Sequence, residues 1–270
     1  DDDGSSNGDE IINGTNPYED PSNGHIVSPA NLNLSKLQER RYLTSKGNTV
    51  GLTSMAIQDS LIVVGASKKN SHCPIASAHV FKQKSNGLWE EIQEINPSDG
   101  ICSFATDIAI SGDVMMIGAS GDGYNQWINV GSVYVFVRNS EGAWVETQKL
   151  TASDAAASDQ FGFSVSLMGD RACIGAPRND DGGDESGSAY IFDLEDDTWT
   201  ETQKLTADDG VEDDYFGFSI SLDGNRVLIG AYGNDEAAAF GGSAYIFDLE
   251  DGTWVESQKL TASDAEASDY

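Results

Sequence analysis

Carboxylates are the side chains in this sequence whose type and spacing best suit chemistry. Asn179-Asp180-Asp181-Gly182-Gly183-Asp184-Glu185 places Asp180, Asp181 and Asp184 around paired glycines. Acid groups at such short spacings can turn their oxygens onto one hard cation, and Ca2+ is the cofactor this pattern would serve. A second acidic series comprises Asp154 and Asp159, then Asp208, Asp209, Asp213 and Asp214, then Asp264 and Asp269. Both series have a competing explanation, because Asp and Asn close turns by bonding their own backbone.

Catalytic groups are sparse. The histidines are His25, His72 and His79, and no Gly-x-Ser-x-Gly elbow, paired metal-binding histidines or phosphate-cradling glycine loop accompanies them. Paired carboxylates of the kind glycosidases use carry little weight in so acidic a chain. A site needs a base, an orienting group and a nucleophile together, so the sequence predicts a protein that is not an enzyme.

The chain has 270 residues and a formal net charge of −30, with 45 acidic and 15 basic side chains. The imbalance is local: residues 1–86 hold 9 acidic and 8 basic groups, residues 87–270 hold 36 and 7. Such a surface repels phosphate backbones and excludes nucleic acid as a partner. It suits cations, cationic partners or a salty medium, and simple solubility is the plainer reading. No apolar run reaches the roughly 18 residues a membrane span needs, so a soluble chain without membrane insertion is expected.

A 55-residue repeat positions these groups. Trp89, Trp144, Trp199 and Trp254 recur at that interval, each opening a phrase of the type Trp144-Val-Glu-Thr-Gln-Lys-Leu150. Phe161-Gly-Phe-Ser-Val-Ser-Leu167 returns as Phe216-Gly-Phe-Ser-Ile-Ser-Leu222. Ile174-Gly-Ala176 and Gly187-Ser-Ala-Tyr-Ile-Phe192 recur likewise.

Each repeat reads as four short strands. Bulky Phe161, Phe163, Val165 and Leu167 alternate with small residues, a period of two. Arg171 to Ala176 is apolar on both faces, Ser188 to Leu194 is a third strand, and Trp199 to Leu205 a more polar, outermost fourth. Gly112-Asp113, Gly169-Asp170 and Gly224-Asn225 mark tight hairpins. Four-stranded units that cannot bury both faces alone must stack, and radial stacking gives an all-β β-propeller of antiparallel blades; a linear solenoid is the alternative. The blades span about 50–95, 104–150, 161–205 and 216–260, within a repeat region 49–270 that follows an N-terminal tail, 1–48.

Phe-Gly at the first strand, with Gly175-Ala176-Pro177 at the end of the second, resembles the FG-GAP repeat of integrin α heads, most closely the bacterial and algal form. The resemblance covers about Val50 to Tyr270 and fades towards the N-terminus, where Phe104-Ala105 and Val50-Gly51 replace Phe-Gly. It implies a larger propeller, typically of seven blades. Here Tyr270 aligns with Tyr215, the residue before Phe216-Gly217, which suggests a fragment or a propeller completed elsewhere. A closed ring of four and two associating half-rings are the alternatives. The resemblance also implies calcium between the first two strands, but a Gly-Asp turn there is too short to supply it.

Cys173 aligns with Leu228, Met116 and Val63 and reads as buried filler. Cys73 lies between strands two and three of the first repeat and Cys102 in the linker that leaves it. Those connections emerge on one face of a meander, which makes a Cys73–Cys102 disulfide plausible in an oxidising compartment; two unrelated thiols is the other reading. Residues 1–30 are rich in Gly, Ser, Asn and Asp and are expected to be disordered or draped over a partner. Asn13 and Asn33 head glycosylation triplets. Leu34 aligns with Trp89 as a stray outer strand, with a short helix over Leu34 to Tyr42 as the competitor.

Together these features, with the adhesive role the resemblance implies, predict an extracellular, non-catalytic propeller that binds a protein, glycan or matrix partner at the cell surface. A structural subunit of a filament or sheath, self-associating through exposed blade faces, is the first alternative. An accessory domain of a longer secreted enzyme is the second.

Overall fold

The protein is described here by a computed structural model covering residues 50–68, 76–101, 103–123, 129–236 and 241–264. Asn13, Asn33, Cys73, Cys102, the expected tail and the proposed stray strand lie outside the described residues. So does Asp269.

Four four-stranded antiparallel sheets follow one another along the chain. The first is β1 (Val50–Gln58), β2 (Leu61–Lys68), β3 (Ala76–Gln83) and β4 (Trp89–Ile95). The second is β5 (Ile108–Ser111), β6 (Val114–Ala119), β7 (Ser132–Arg138) and β8 (Trp144–Leu150). The third is β9 (Ser164–Met168), β10 (Arg171–Ala176), β11 (Ser188–Glu195) and β12 (Thr198–Leu205). The fourth is β13 (Phe216–Asp223), β14 (Arg226–Ala231), β15 (Ser243–Glu250) and β16 (Thr253–Leu260). Every sheet is a simple meander, and the described residues contain no helix. The expected all-β propeller blades are therefore what forms.

The turns follow from local chemistry. Gly112, Gly169 and Gly224 open the first hairpins of their blades with φ near +60°, a conformation glycine adopts without penalty. All four blades carry a register shift at one place in the third–fourth strand pair, before Phe81, Phe136, Phe192 and Phe247. Such a bulge sharpens the local twist of the outer strand.

The blades share three cores, one at each junction. Between the second and third sheets, Met116, Val133, Val135 and Leu150 meet Phe161, Val165, Ile174, Tyr190, Phe192 and Trp199. The opening phenylalanine sits edge-on to the Tyr of the third strand in each case: Phe104 on Tyr134 at 5.6 Å, Phe161 on Tyr190 at 5.5 Å, Phe216 on Tyr245 at 5.4 Å. Cys173 is fully buried at the junction of the third and fourth sheets, as expected of filler.

The backbone explains the Phe-Gly and Gly-Ala elements. Gly162 and Gly217 have φ of 84° and 89°. The carbonyl of each presses on the second-strand glycine of the preceding blade, Gly118 and Gly175, where a Cβ would overlap it. Ser164 Oγ donates to the Gly217 carbonyl at 2.7 Å, and Ser54 Oγ to that of Ala105 at 3.1 Å. Counting back from those serines puts Gly51 and Leu52 in the Phe161-Gly162 positions, one residue later than the expected Val50-Gly51. The first blade's own bulge, between Leu52 and Met55, obscures this register in the sequence.

Candidate functional site

Residue pairs hold each blade to the next at every height of the sheet. On the outer strands, Gln148 Nε2 donates to the Trp199 carbonyl at 2.8 Å, and its Oε1 accepts the Trp199 N–H at 2.9 Å. Gln93 clasps Trp144 and Gln203 clasps Trp254 in the same way. The glutamate two residues after the tryptophan caps the preceding linker: Glu146 accepts from Ser98, Glu201 from Ser153, Glu256 from Asp208. The repeated Trp-x-Glu-x-Gln phrase is thus an inter-blade clasp.

The acidic series lies on the rim formed by the inter-blade linkers and the loops between second and third strands. Asp99, Asp154 and Asp209 each accept the hydroxyl of the next blade's tyrosine (Tyr134, Tyr190, Tyr245) and the ammonium of its lysine (Lys149, Lys204, Lys259), the latter at 2.6 Å. Each lysine also pairs with an acid of its own blade's loop, Asp122, Asp181 or Glu236. It lies over the tyrosine ring at 4.9–5.4 Å as well.

This geometry places the proposed calcium ligands. Asp181 pairs with Lys204, Asp180 Oδ1 accepts the Glu185 N–H at 2.9 Å, and the Asp184 main-chain carbonyl accepts the Asp213 N–H at 2.9 Å. The loop therefore closes on itself, on a lysine and on the next blade. Among the described residues no group of three or more His, Cys, Asp or Glu is placed to hold a metal.

Beneath the rim, Asp159 and Asp214 are buried. Asp159 accepts the Ala156 N–H and an Asn179 amide hydrogen, and Asp214 does the same with Val211 and Asn234. The asparagines in turn accept from Ser188 and Ser243. Burial pushes Asp159, Asp214 and Asp107, the residue before β5, above the ordinary carboxylate value. For Asp99, Asp154 and Asp209 burial acts the same way, but hydrogen bonds from lysine and tyrosine outweigh it and hold them below that value.

The two sets act oppositely on stability. The raised group binds protons more tightly when folded; its contribution is complete below the unfolded value near about 4 and lost as pH rises through the folded value. The lowered group contributes above about 4, and that stability is lost as pH falls through the folded values. Self-repulsion of the acidic blades adds to the loss at high pH. The thermal midpoint should therefore rise as pH drops from neutrality towards about 4, and fall again below that. A combined Asp159→Asn, Asp214→Asn change should flatten the rise that remains in high salt, where repulsion is screened; an unchanged rise would rule the buried carboxylates out.

Sequence reasoning missed one constellation. Ser77 Oγ lies 2.9 Å from His79 Nε2, and His79 Nδ1 lies 2.6 Å from Glu91 Oε1, the hydrogen-bond order of a serine relay. Ser77 and His79 occupy the positions of Ser132 and Tyr134, and both are buried.

The FG-GAP repeat family model matches residues 89–136, 144–192 and 199–247, more than half of the chain. The chain belongs to the FG-GAP repeat family. The matched segments each run from the tryptophan of one blade to the third strand of the next, so they span the clasped junctions. No curated protein matches the FG-GAP chain in sequence. Among solved structures it is similar to Sqt1 from Chaetomium thermophilum, with 14% identity, TM-score 0.49, and coverage of 81% of this chain and 51% of that one. It is also similar to the β-propeller domain of the Trilobed protease from Pyrococcus furiosus, with 10% identity, TM-score 0.45, and coverage of 77% and 57%. The FG-GAP chain thus spans little more than half the length of these solved chains.

Proposed function

We propose that this FG-GAP propeller is a non-catalytic extracellular binding module that engages a basic protein patch at the cell surface or in the matrix. One observation carries the reading. All seven basic side chains of residues 87–270 are already paired: Arg138 with Asp113, Arg171 with Asp193, Arg178 with Glu185, Arg226 with Asp248, and the three lysines as described. These pairs engage ten of the 36 acidic residues there. Glu90 pairs with Lys84 of the first blade; among the described residues the other acids of this stretch have no arginine or lysine partner, and a dense field of one sign steers and holds a partner of the other.

Titrating the whole chain with a lysine-rich protein domain and with a panel of neutral glycans, with calcium and with chelator, tests this. Binding of the basic domain should weaken by about tenfold or more between low and high salt, and Asp180→Asn with Asp184→Asn should weaken it further. Binding of glycans alone, or of neither class under any condition, overturns the basic-patch reading.

A further inference from the structure

In the second, third and fourth blades, the glycine that opens the first hairpin is held by the blade before it. Gly112 N–H donates to Gln58 Oε1 at 2.8 Å, and Gly169 N–H to Ser111 Oγ at 3.0 Å. Gly224 N–H does the same with Met168, whose sulfur lies 3.0 Å away. The three acceptors are one position of the repeat. Each closes the ladder of its first strand opposite the start of the second: Gln58 with Leu61, Ser111 with Val114, Met168 with Arg171. Two junctions therefore use an oxygen here, and the third uses a thioether.

Sulfur is a weak acceptor beside a carboxamide or hydroxyl oxygen, so the junction of the third and fourth blades is the loosest of the three at this point. Gln58 also donates from Nε2 to the Gly112 carbonyl at 3.2 Å, a second bond that a thioether cannot offer. Sulfur chemistry can supply the missing oxygen. The thioether lone pair attacks one oxygen of a hydroperoxide, the S–O bond forms and the O–O bond breaks. Sulfur gives up two electrons, and the departing oxygen takes them with a proton and leaves as water or an alcohol. The sulfoxide is polar, with an oxygen that accepts hydrogen bonds far better than the sulfur it sits on. Met168 is 45% exposed, whereas Met115 and Met116 are 0% exposed in the blade cores. A peroxide in solution reaches the first and not the other two.

We propose that Met168 is a site of peroxide modification, and that its sulfoxide tightens the junction of the third and fourth blades by taking the Gly224 N–H. Methionine oxidation ordinarily disrupts an apolar contact. Here the sulfur already faces a backbone donor at an exposed hairpin, so the sign is reversed. Nothing lies within 4 Å of where a Cβ would stand on Gly169 or Gly224, which leaves the sulfur room to draw back and admit the oxygen. Sulfoxide reductases return the thioether, so the change is reversible.

Amide hydrogen exchange on the whole chain tests it, with Met55→Leu in place so that Met168 is the one methionine outside the buried cores. Hydrogen peroxide should add one oxygen, about 16 Da, to the peptide that carries Met168. Exchange at Gly224 should then slow by about threefold or more, the effect of one better hydrogen bond. Gly112 and Gly169 should be unchanged, and sulfoxide reductases should restore the original Gly224 rate. Met168→Gln should hold Gly224 at the slow rate before and after peroxide, because its carboxamide supplies the oxygen as Gln58 does. Met168→Leu should leave Gly224 fast and indifferent to peroxide. Exchange at Gly224 that is unchanged or faster in the sulfoxide overturns the proposal. So does a slowing that persists in Met168→Leu, a Met168→Gln variant as fast as Met168→Leu, or a Met168 that peroxide leaves unmodified.

Discussion

Replacing Gly175 with alanine is expected to cost about 3 kcal/mol, while the same replacement at Gly230 costs less than about 1 kcal/mol. The two glycines occupy one position in successive repeats and share one strand context. A Cβ on Gly175 overlaps the carbonyl of Gly217 in the next blade, a backbone atom that cannot swing aside. A Cβ on Gly230 meets only the movable Ser219 hydroxyl, with the nearest backbone atom 3.8 Å away. The difference therefore isolates blade-to-blade approach from intrinsic strand preference. Urea denaturation midpoints of the two variants, with m-values to confirm a common unfolding reaction, measure it. Equal losses would mean that the Gly-Ala element serves the strand and not the junction.

Phe161→Ala should be at least as damaging, at about 3–5 kcal/mol. Phe161 is fully buried, sits against Tyr190 and Phe192 at 5.5 and 5.9 Å, and forms a parallel bridge with Gly131 of the preceding blade. Truncation empties the centre of a junction whose walls are strands fixed by their own ladders, so little collapse can refill it. Phe163, two residues on and half-buried, should lose only about 1–2 kcal/mol on the same change. Calorimetric midpoints of the two variants give the comparison, and a reversed order would contradict the assignment of Phe161 to the core of the junction.

The fold was legible because the repeat makes the sequence its own alignment. Strand periodicity in Phe161 to Leu167, the glycine hairpins and the spaced tryptophans each constrain the same four-stranded unit. The purpose of the polar phrase was hidden: Gln148 and Glu201 look like solvated outer-strand residues, and only the neighbouring blade reveals what they bond. The rim shows the same dependence on distant partners. Asp181 carries a metal-like spacing along the chain, but its cation, Lys204, arrives from β12, 23 residues on. Ser77, His79 and Glu91 lay in the most divergent repeat, where the Tyr-to-His change conceals that the positions are those of Ser132 and Tyr134. Local patterns report strands well; partners supplied by another strand or blade leave no local trace.

The glutamine clasp runs one way, each blade gripping the one that follows, so the sheets are coupled in series like links. Tension applied along the chain would load the clasps successively. A pull along such a series would be taken up clasp by clasp rather than shared across all junctions at once.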